Sequence, residues 1–176
     1  LLSQTTIRKA TQAFGKKNKN YALSLNDLSF IYYFLQQYTE AKKVSNEALE
    51  VISNTVGKND SDYATILNNN GAFREKLGDY TNTEKLYYES MSIRERLFTQ
   101  KSLEYAQSLN NLGNYYVETG NLSLAEKDLK QALEIQMQIN GKDYEYAKKL
   151  NNLGNVNMNM GRYAIAETQF KEALSI

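Results

Sequence analysis

The chain has 176 residues, and its 21 Lys and Arg against 20 Asp and Glu give a formal net charge of +1. This balance argues against a dedicated nucleic-acid-binding protein, which usually carries a clear basic surplus. Because Cys and His are both absent, the chain cannot form a disulfide, a zinc site with the usual ligands, or a Ser-His-Asp or Cys-His catalytic arrangement. We expect no cofactor and no metal.

Length and hydrophobicity favour one soluble domain. The 41% hydrophobic content is enough for one sizeable core, and the length alone suggests a single domain. No apolar run approaches the roughly 20 residues that cross a bilayer, and the first residues, 1–7, do not resemble a signal peptide. We therefore expect a cytoplasmic protein that has no membrane partner.

Helical periodicity runs through the chain. Leu109, Leu112, Gly113 and Tyr116 follow the i, i+3, i+4, i+7 spacing of one helix face, and the segment from Leu122 does the same. The absence of Pro suits a chain made mostly of helix. The predicted elements are one helix near 1–14, then pairs near 20–36 and 39–56, 61–77 and 80–98, 102–119 and 122–139, and 143–160 and 163–176.

The helix pairs are internal repeats. The phrase Tyr-Ala-x-x-Leu-Asn-Asn-Leu-Gly that begins at Tyr105 returns at Tyr146, and weaker copies begin at Tyr21 and Tyr63. Its sixth-place Asn falls at 26, 68, 110 and 151, in steps of 42, 42 and 41. Such a pair cannot bury its apolar face alone, so stacked copies form a solenoid with one shared core.

We predict a single array over residues 1–176. It comprises a partial repeat at 1–20 with only a second helix, a first repeat at 21–62, a second at 63–104, a third at 105–145 and a truncated fourth at 146–176. The chain starts and stops inside second-type helices without a polar capping helix, so we expect part of a longer array, or an array whose ordered ends are missing.

The turn inside each pair has its own signal. Gly78, Gly120 and Gly161 stand just ahead of the second segments, where a tight turn needs a residue that tolerates a positive φ. Gln36 occupies this place in the first repeat.

Small residues recur at three places of each unit, for example Gly113, Ala125 and Ala132 in the third repeat. With the Tyr at 32 and 116, they resemble the tetratricopeptide repeat family, and the 42-residue spacing resembles its longer subclass, typified by kinesin light chain. The resemblance implies an all-α fold, an α-α superhelix (TPR solenoid) of antiparallel helix pairs.

The sequence departs from the family pattern mainly in the second repeat. At the place of Tyr32 and Tyr116, the second repeat holds Arg74 and the fourth holds Asn157. Asn70 occupies the place of a Leu. The polar residues of the second repeat either weaken its packing or serve a specific purpose.

In this family the first helices line a concave groove that holds extended peptides or partner helices. Helical phase assigns a row of amides to that face, and an Asn side chain offers both a donor and an acceptor to a peptide backbone. Phe30, Tyr33, Val117 and Met158 are candidates for lining apolar pockets. The predicted partner-binding residues are Asn68, Asn69, Asn110, Asn111, Asn114, Lys148, Asn151, Asn152 and Asn155.

Another interpretation stays open for these amides. An Asn repeated at one place can serve only to bond the neighbouring repeat, and the Tyr at 21, 63, 105 and 146 are expected to pack between repeats. The family's clamp for a C-terminal carboxylate needs two Lys, an Arg and two Asn over three first helices. Lys148 and the Asn rows match only fragments of that set, so we do not predict the clamp.

The repeats predict a protein-protein interaction scaffold that binds a peptide or partner protein. Two alternatives are a regulatory arm of a larger effector, such as a protease or NTPase, and a structural array that self-associates through its uncapped ends. A stand-alone enzyme is not expected, because no phosphate loop, metal cluster or nucleophile–base pair is visible.

Overall fold

The structure, a computed structural model, describes residue 15 and residues 17–176, so the helix predicted near 1–14 lies outside the described residues. Over the described ranges the chain forms helices and turns and no strand, as predicted. The helices are α1 (Lys19–Phe34), α2 (Tyr38–Thr55), α3 (Ser61–Lys76), α4 (Tyr80–Phe98), α5 (Leu103–Glu118), α6 (Leu122–Asn140), α7 (Tyr144–Asn159) and α8 (Tyr163–Leu174). In this part of the chain, no helix has the length and hydrophobicity needed to span a bilayer.

The chain divides into two compact units, and the division falls inside α4, between Ile93 and Arg94. In the first unit α2 packs against both α1 and α3, and α1 also contacts α3. In the second unit α6 packs against α5 and α7, α7 packs against α8, and α5 contacts α7. Each unit therefore places one first helix directly beside the next. The repeat boundaries stay a prediction.

Each first helix begins at a residue whose side chain caps its N-terminus. The cap always stands three residues before the Tyr of the repeat and accepts a hydrogen bond from that Tyr's backbone N–H, at 2.8–3.2 Å. Such a cap typically stabilises a helix by about 1 kcal/mol. The caps are Asn18, Asp60, Ser102 and Asp143.

The turn between the two helices of each repeat contains the predicted positive φ. Gly78, Gly120 and Gly161 have φ of 73°, 77° and 75°, and Gln36 adopts the same conformation at 60°. The chain also takes a positive φ between repeats, where Gly57 and Gly141 have φ of 86° and 71°. The residue at that place after the second repeat is Thr99, with φ of 71°.

The two helices of a repeat approach closely because small and large side chains face each other. A Cβ added to Gly113 would lie 2.5 Å from Leu129 Cγ, and one added to Gly154 would lie 2.6 Å from Phe170 Cε1. The first repeat holds two Ser at these places, Ser29 and Ser45, and both are fully buried. Among the described residues, only the Ser45 hydroxyl is a fully buried side-chain polar group without a hydrogen-bond partner.

The repeat's Tyr joins the first helix to the second helix of the same repeat. Tyr21 Oη donates to Glu47 Oε1 at 2.9 Å, and Tyr146 Oη donates to Glu172 Oε1 at 3.2 Å. Burial, and then the bond to Glu47, raises the pKa of Tyr21 to about 12. Tyr21 and Tyr63 also lie in one apolar core with residues of α1, α2, α3 and α4, so these two Tyr residues serve packing both within and between repeats.

A polar network fills the divergent second repeat. The fully buried Asn70 donates from Nδ2 to Asn46 Oδ1 at 2.9 Å and accepts from Arg74 Nε at 2.8 Å. Arg74 Nη1 also lies 2.7 Å from Asp79 Oδ2. Hydrogen bonds from Asn82 and Arg74 hold the pKa of Asp79 below its usual range. The departures from the family pattern therefore satisfy one another.

The second unit also buries charged and polar side chains where a second helix meets the next first helix. Arg94 Nη1 donates to Ser108 Oγ at 3.0 Å and to the Glu104 carbonyl at 3.4 Å, and burial lowers the pKa of the guanidinium. At the next junction of this kind, between α6 and α7, the buried Gln136 donates to both carboxylate oxygens of Asp143 at 3.0 Å. Polar bonds thus fix this packing in the second unit.

Candidate partner-binding surface

The Asn rows meet as side-chain pairs between successive first helices. Asn69 Nδ2 donates to Asn26 Oδ1 at 2.9 Å in the first unit, and Asn152 Nδ2 donates to Asn110 Oδ1 at 3.0 Å in the second. In both pairs the seventh-place Asn of one repeat bonds to the sixth-place Asn of the repeat before it. The structure therefore brings the two predicted rows together as amide pairs, which are Asn26–Asn69 and Asn110–Asn152.

The predicted residues differ in exposure. Asn68, Asn69 and Asn110 are buried, like Asn26. Lys148 and Asn151 are exposed. The half-buried residues are Asn111, Asn114, Asn152 and Asn155. Three of the nine predicted residues therefore lie at the depth of the packing between helices, and the other six lie nearer to the surface.

Each amide pair keeps hydrogen-bonding capacity. The bond between Asn69 and Asn26 uses one donor and one acceptor. Within the described residues, Asn26 Nδ2 and Asn69 Oδ1 make no further bond to protein, and neither is fully buried. The same holds for Asn110 Nδ2 and Asn152 Oδ1. Each pair thus offers one unused amide NH₂ group as donor and one unused oxygen as acceptor, which complement the C=O and the N–H of a peptide backbone.

Lys148 carries the cation of the predicted row. Its Nζ lies 2.9 Å from Glu145 Oε1 and 5.5 Å from the centre of the Tyr144 ring. The ion pair with Lys148 lowers the pKa of Glu145. With Asn151 and Asn152, Lys148 lines an open groove of about 390 Å³ between α7 and α8. The charge of Lys148 is therefore partly satisfied within its own helix.

The predicted apolar residues lie further along the same helices. Phe30 and Tyr33 contact Phe73 of α3, with ring centres 5.9 and 5.5 Å apart. Val117 is half-buried and Met158 is exposed. No group of three or more Asp or Glu in the described part of the chain could hold a metal ion.

Comparison with known proteins gives relatives by sequence pattern and by fold. Sequence models described as "Tetratricopeptide repeat" match residues 62–138 and residues 22–62 and 147–176. No curated protein matches the sequence.

Three solved structures illustrate the fold. BtubC (BKLC) from P. vanneervenii is similar with a TM-score of 0.84 and 22% identity, over 99% of this chain and 70% of that one. A Podosopora anserina protein described as a kinesin light chain with nearly identical TPR-like repeats gives 0.76 and 13%, over 99% and 83%. MamA gives 0.62 and 15%, over 96% and 83%. From the sequence models and these folds, the chain belongs to the tetratricopeptide repeat family and has the fold of its kinesin-light-chain-like members.

Proposed function

We propose that this protein is a non-catalytic scaffold that binds an extended peptide segment of a partner protein along its first helices. Tetratricopeptide repeats are generally protein-protein interaction scaffolds. The observation that carries the proposal is the pair of amide pairs, Asn26–Asn69 and Asn110–Asn152, each with an unused donor and an unused acceptor.

The chemistry of the pairs suits a peptide backbone better than a specific side chain. An extended backbone presents N–H and C=O groups at a regular spacing, and one amide pair can bond to one of each. The contact reads no sequence, because every residue except Pro has the same backbone groups. The remaining predicted residues, Asn68, Asn111, Asn114, Lys148, Asn151 and Asn155, would then contact the partner around these fixed points.

The energetics require more than the amides. The two backbone bonds that one amide pair can make, at about 0.5–1.5 kcal/mol each, contribute roughly 1–3 kcal/mol. Micromolar affinity requires about 8 kcal/mol. Apolar side chains of the partner must supply the difference, so the amides would set position and register, and other contacts would set affinity.

The test is peptide selection on the purified protein. A displayed library of random dodecapeptides is panned against the wild type and against the double variant Asn26→Ala/Asn110→Ala, and selected peptides are measured by fluorescence anisotropy. We expect enrichment on the wild type and binding at least about tenfold weaker on the double variant, since each Ala removes the unused N–H donor.

The matched control is Asn54→Ala, which removes an exposed amide from the second helix α2. It should bind the selected peptides as the wild type does, and circular dichroism should show an intact helical spectrum for all three proteins. No enrichment on the wild type, or equal binding by the double variant, would contradict the proposal.

A further inference from the structure

Phe34 is an aromatic residue at a place that faces water in every repeat. It is 76% exposed at the end of α1. The same place in the second, third and fourth repeats holds Lys76, Glu118 and Asn159, and all three are exposed. Exposure is therefore a property of the position, and three repeats fill it with a polar residue. A large apolar side chain that is exposed at such a place indicates a candidate interaction site, whereas a buried one is accounted for by core packing.

Phe34 belongs to an aromatic platform made of Phe30, Tyr33, Phe34 and Tyr38. The Phe34 ring stacks on Phe30 with centres 6.4 Å apart and meets Tyr33 edge-on at 5.8 Å. Tyr33 also meets Tyr38 at 5.5 Å. Beneath them the almost completely buried Phe73 contacts both Phe30 and Tyr33. Ring contacts thus hold the platform in place, so a ligand would not have to order it.

The platform is in register with the Asn26–Asn69 pair. Phe30 lies four residues after Asn26 and Phe73 lies four residues after Asn69, so the ring contact between them is one helical turn along the same face. Asn26 and Phe34 are eight residues apart, which is about 12 Å along the helix. An extended peptide covers that distance in three to four residues.

The size and charge of the platform point to a small apolar occupant. A fully exposed aromatic residue has about 200 Å² of surface, so the platform together with the exposed Leu35 offers on the order of 300–400 Å². A stable dimer needs about 800 Å² from each partner, so this surface is too small for a second copy and fits one or two side chains. None of the four platform residues is charged.

The second unit has no equivalent surface. At the places of Phe30, Tyr33 and Phe34 the third repeat holds Asn114, Val117 and Glu118, and the fourth holds Asn155, Met158 and Asn159. The apolar anchor of a bound peptide would therefore lie in the first unit.

We infer that the aromatic platform is an anchor site for one aromatic or branched aliphatic side chain of an extended peptide. That side chain lies three to four residues from the stretch of backbone that Asn26 and Asn69 hold. The inference rests on the proposed peptide binding and adds the ligand's chemistry and its position.

The experiment uses Phe34→Lys, which introduces the residue that the second repeat has at this place. Wild type and variant are panned with the same random dodecapeptide library. Peptides selected on the wild type should share an apolar residue at one position, and those selected on the variant should not. A synthetic wild-type-selected peptide should bind the variant at least about tenfold more weakly, because the anchor loses its apolar contact. Phe34→Asn, with the residue of the fourth repeat, provides a second variant.

Leu124→Lys is the matched control, since Leu124 is an exposed apolar residue on α6, and its binding should be unchanged. Selected peptides without a shared apolar position, or equal binding by Phe34→Lys, would overturn the anchor while leaving the proposed function intact. No enrichment on the wild type would overturn both. A dimer in sedimentation velocity that Phe34→Lys dissociates would identify a second copy as the occupant and overturn the peptide assignment.

Discussion

Asn69 donates from Nδ2 to Oδ1 of the buried Asn26 at 2.9 Å, so an amide of the second repeat satisfies an amide of the first. The bond stabilises the packing of two first helices and, at the same time, orients the groups that remain available to a ligand. The two interpretations of the Asn rows, repeat packing and partner binding, therefore apply to the same side chains.

Removing the donor of this pair should destabilise the fold. Asn69→Ala leaves Asn26 Oδ1 buried without its partner, and we expect the free energy of unfolding to fall by about 1–2 kcal/mol. Asn151→Ala removes an exposed amide and should change it by less than about 0.5 kcal/mol. Urea unfolding followed by circular dichroism measures both. Equal effects of the two substitutions would show that the pair does not stabilise the packing.

Helical periodicity was enough to predict most of the fold, because the same spacing of apolar residues recurs in each repeat. The segments predicted near 61–77 and 80–98 are α3 (Ser61–Lys76) and α4 (Tyr80–Phe98) in the structure. The partner of Asn69 was harder to predict. By its helical phase, Asn69 lies at the edge of the predicted groove-facing side of its helix. There a small rotation of the helix decides whether an amide meets water or the neighbouring helix.

The aromatic platform shows the same limit. Phe30 and Tyr33 could be proposed from the sequence as pocket residues, whereas Phe34 could be found only by comparing one place across all four repeats. The positive φ of Thr99 could also be predicted only by aligning the repeats, since Thr99 stands at the place of Gly57 and Gly141. The polar network around Arg74 had no sequence signal beyond its departure from the family pattern, because its bonds join α2, α3 and the turn before α4.

Replacing Thr99 with Gly should stabilise the protein. A β-branched residue at φ of 71° is strained, and relief of such strain outweighs the entropy that Gly gains in the unfolded chain. We expect a gain of about 1 kcal/mol in urea unfolding. The reciprocal Gly57→Thr puts the same strain at the preceding turn and should cost a similar amount. Destabilisation by Thr99→Gly would indicate that its side-chain contacts outweigh the strain.

The close approach at Gly113 should couple strongly to Leu129. Ala is normally favoured over Gly inside a helix by about 1 kcal/mol, but a Cβ here would lie 2.5 Å from Leu129 Cγ. We expect Gly113→Ala to destabilise by about 1–3 kcal/mol, as overpacking does. In the Leu129→Ala background, which costs stability by itself, the added methyl should be tolerated. A double-mutant cycle with no coupling would contradict the tight contact.

The buried Asn70 and Arg74 should also behave as one unit. Arg74→Tyr introduces the residue of the first and third repeats, but it removes the donor to Asn70 Oδ1 and should cost about 1–3 kcal/mol. Asn70→Leu in addition removes the polar group that was left without its donor, and we expect it to recover much of the loss. The measurement is the urea midpoint of the two single variants and the double variant. Additive effects would mean that the network is not cooperative.

The Tyr21 phenol should make stability depend on alkaline pH. Burial and the bond to Glu47 raise its pKa from 10.0 to about 12, so between these values the unfolded chain releases a proton that the folded chain keeps. Ionisation of Tyr21 then stabilises the unfolded state, so the contribution of Tyr21 to stability should be constant below pH 10 and fall from pH 10 to 12. Tyr63, Tyr105 and Tyr146 also have raised pKa values and add to the slope.

Urea midpoints of wild type and Tyr21→Phe at pH 8, 10, 11 and 12 isolate the contribution of Tyr21. At pH 8 the variant should be less stable because it lacks the 2.9 Å bond, and this deficit should shrink as the pH rises. A constant deficit across the series would show that Tyr21 ionises equally in the folded and unfolded chains.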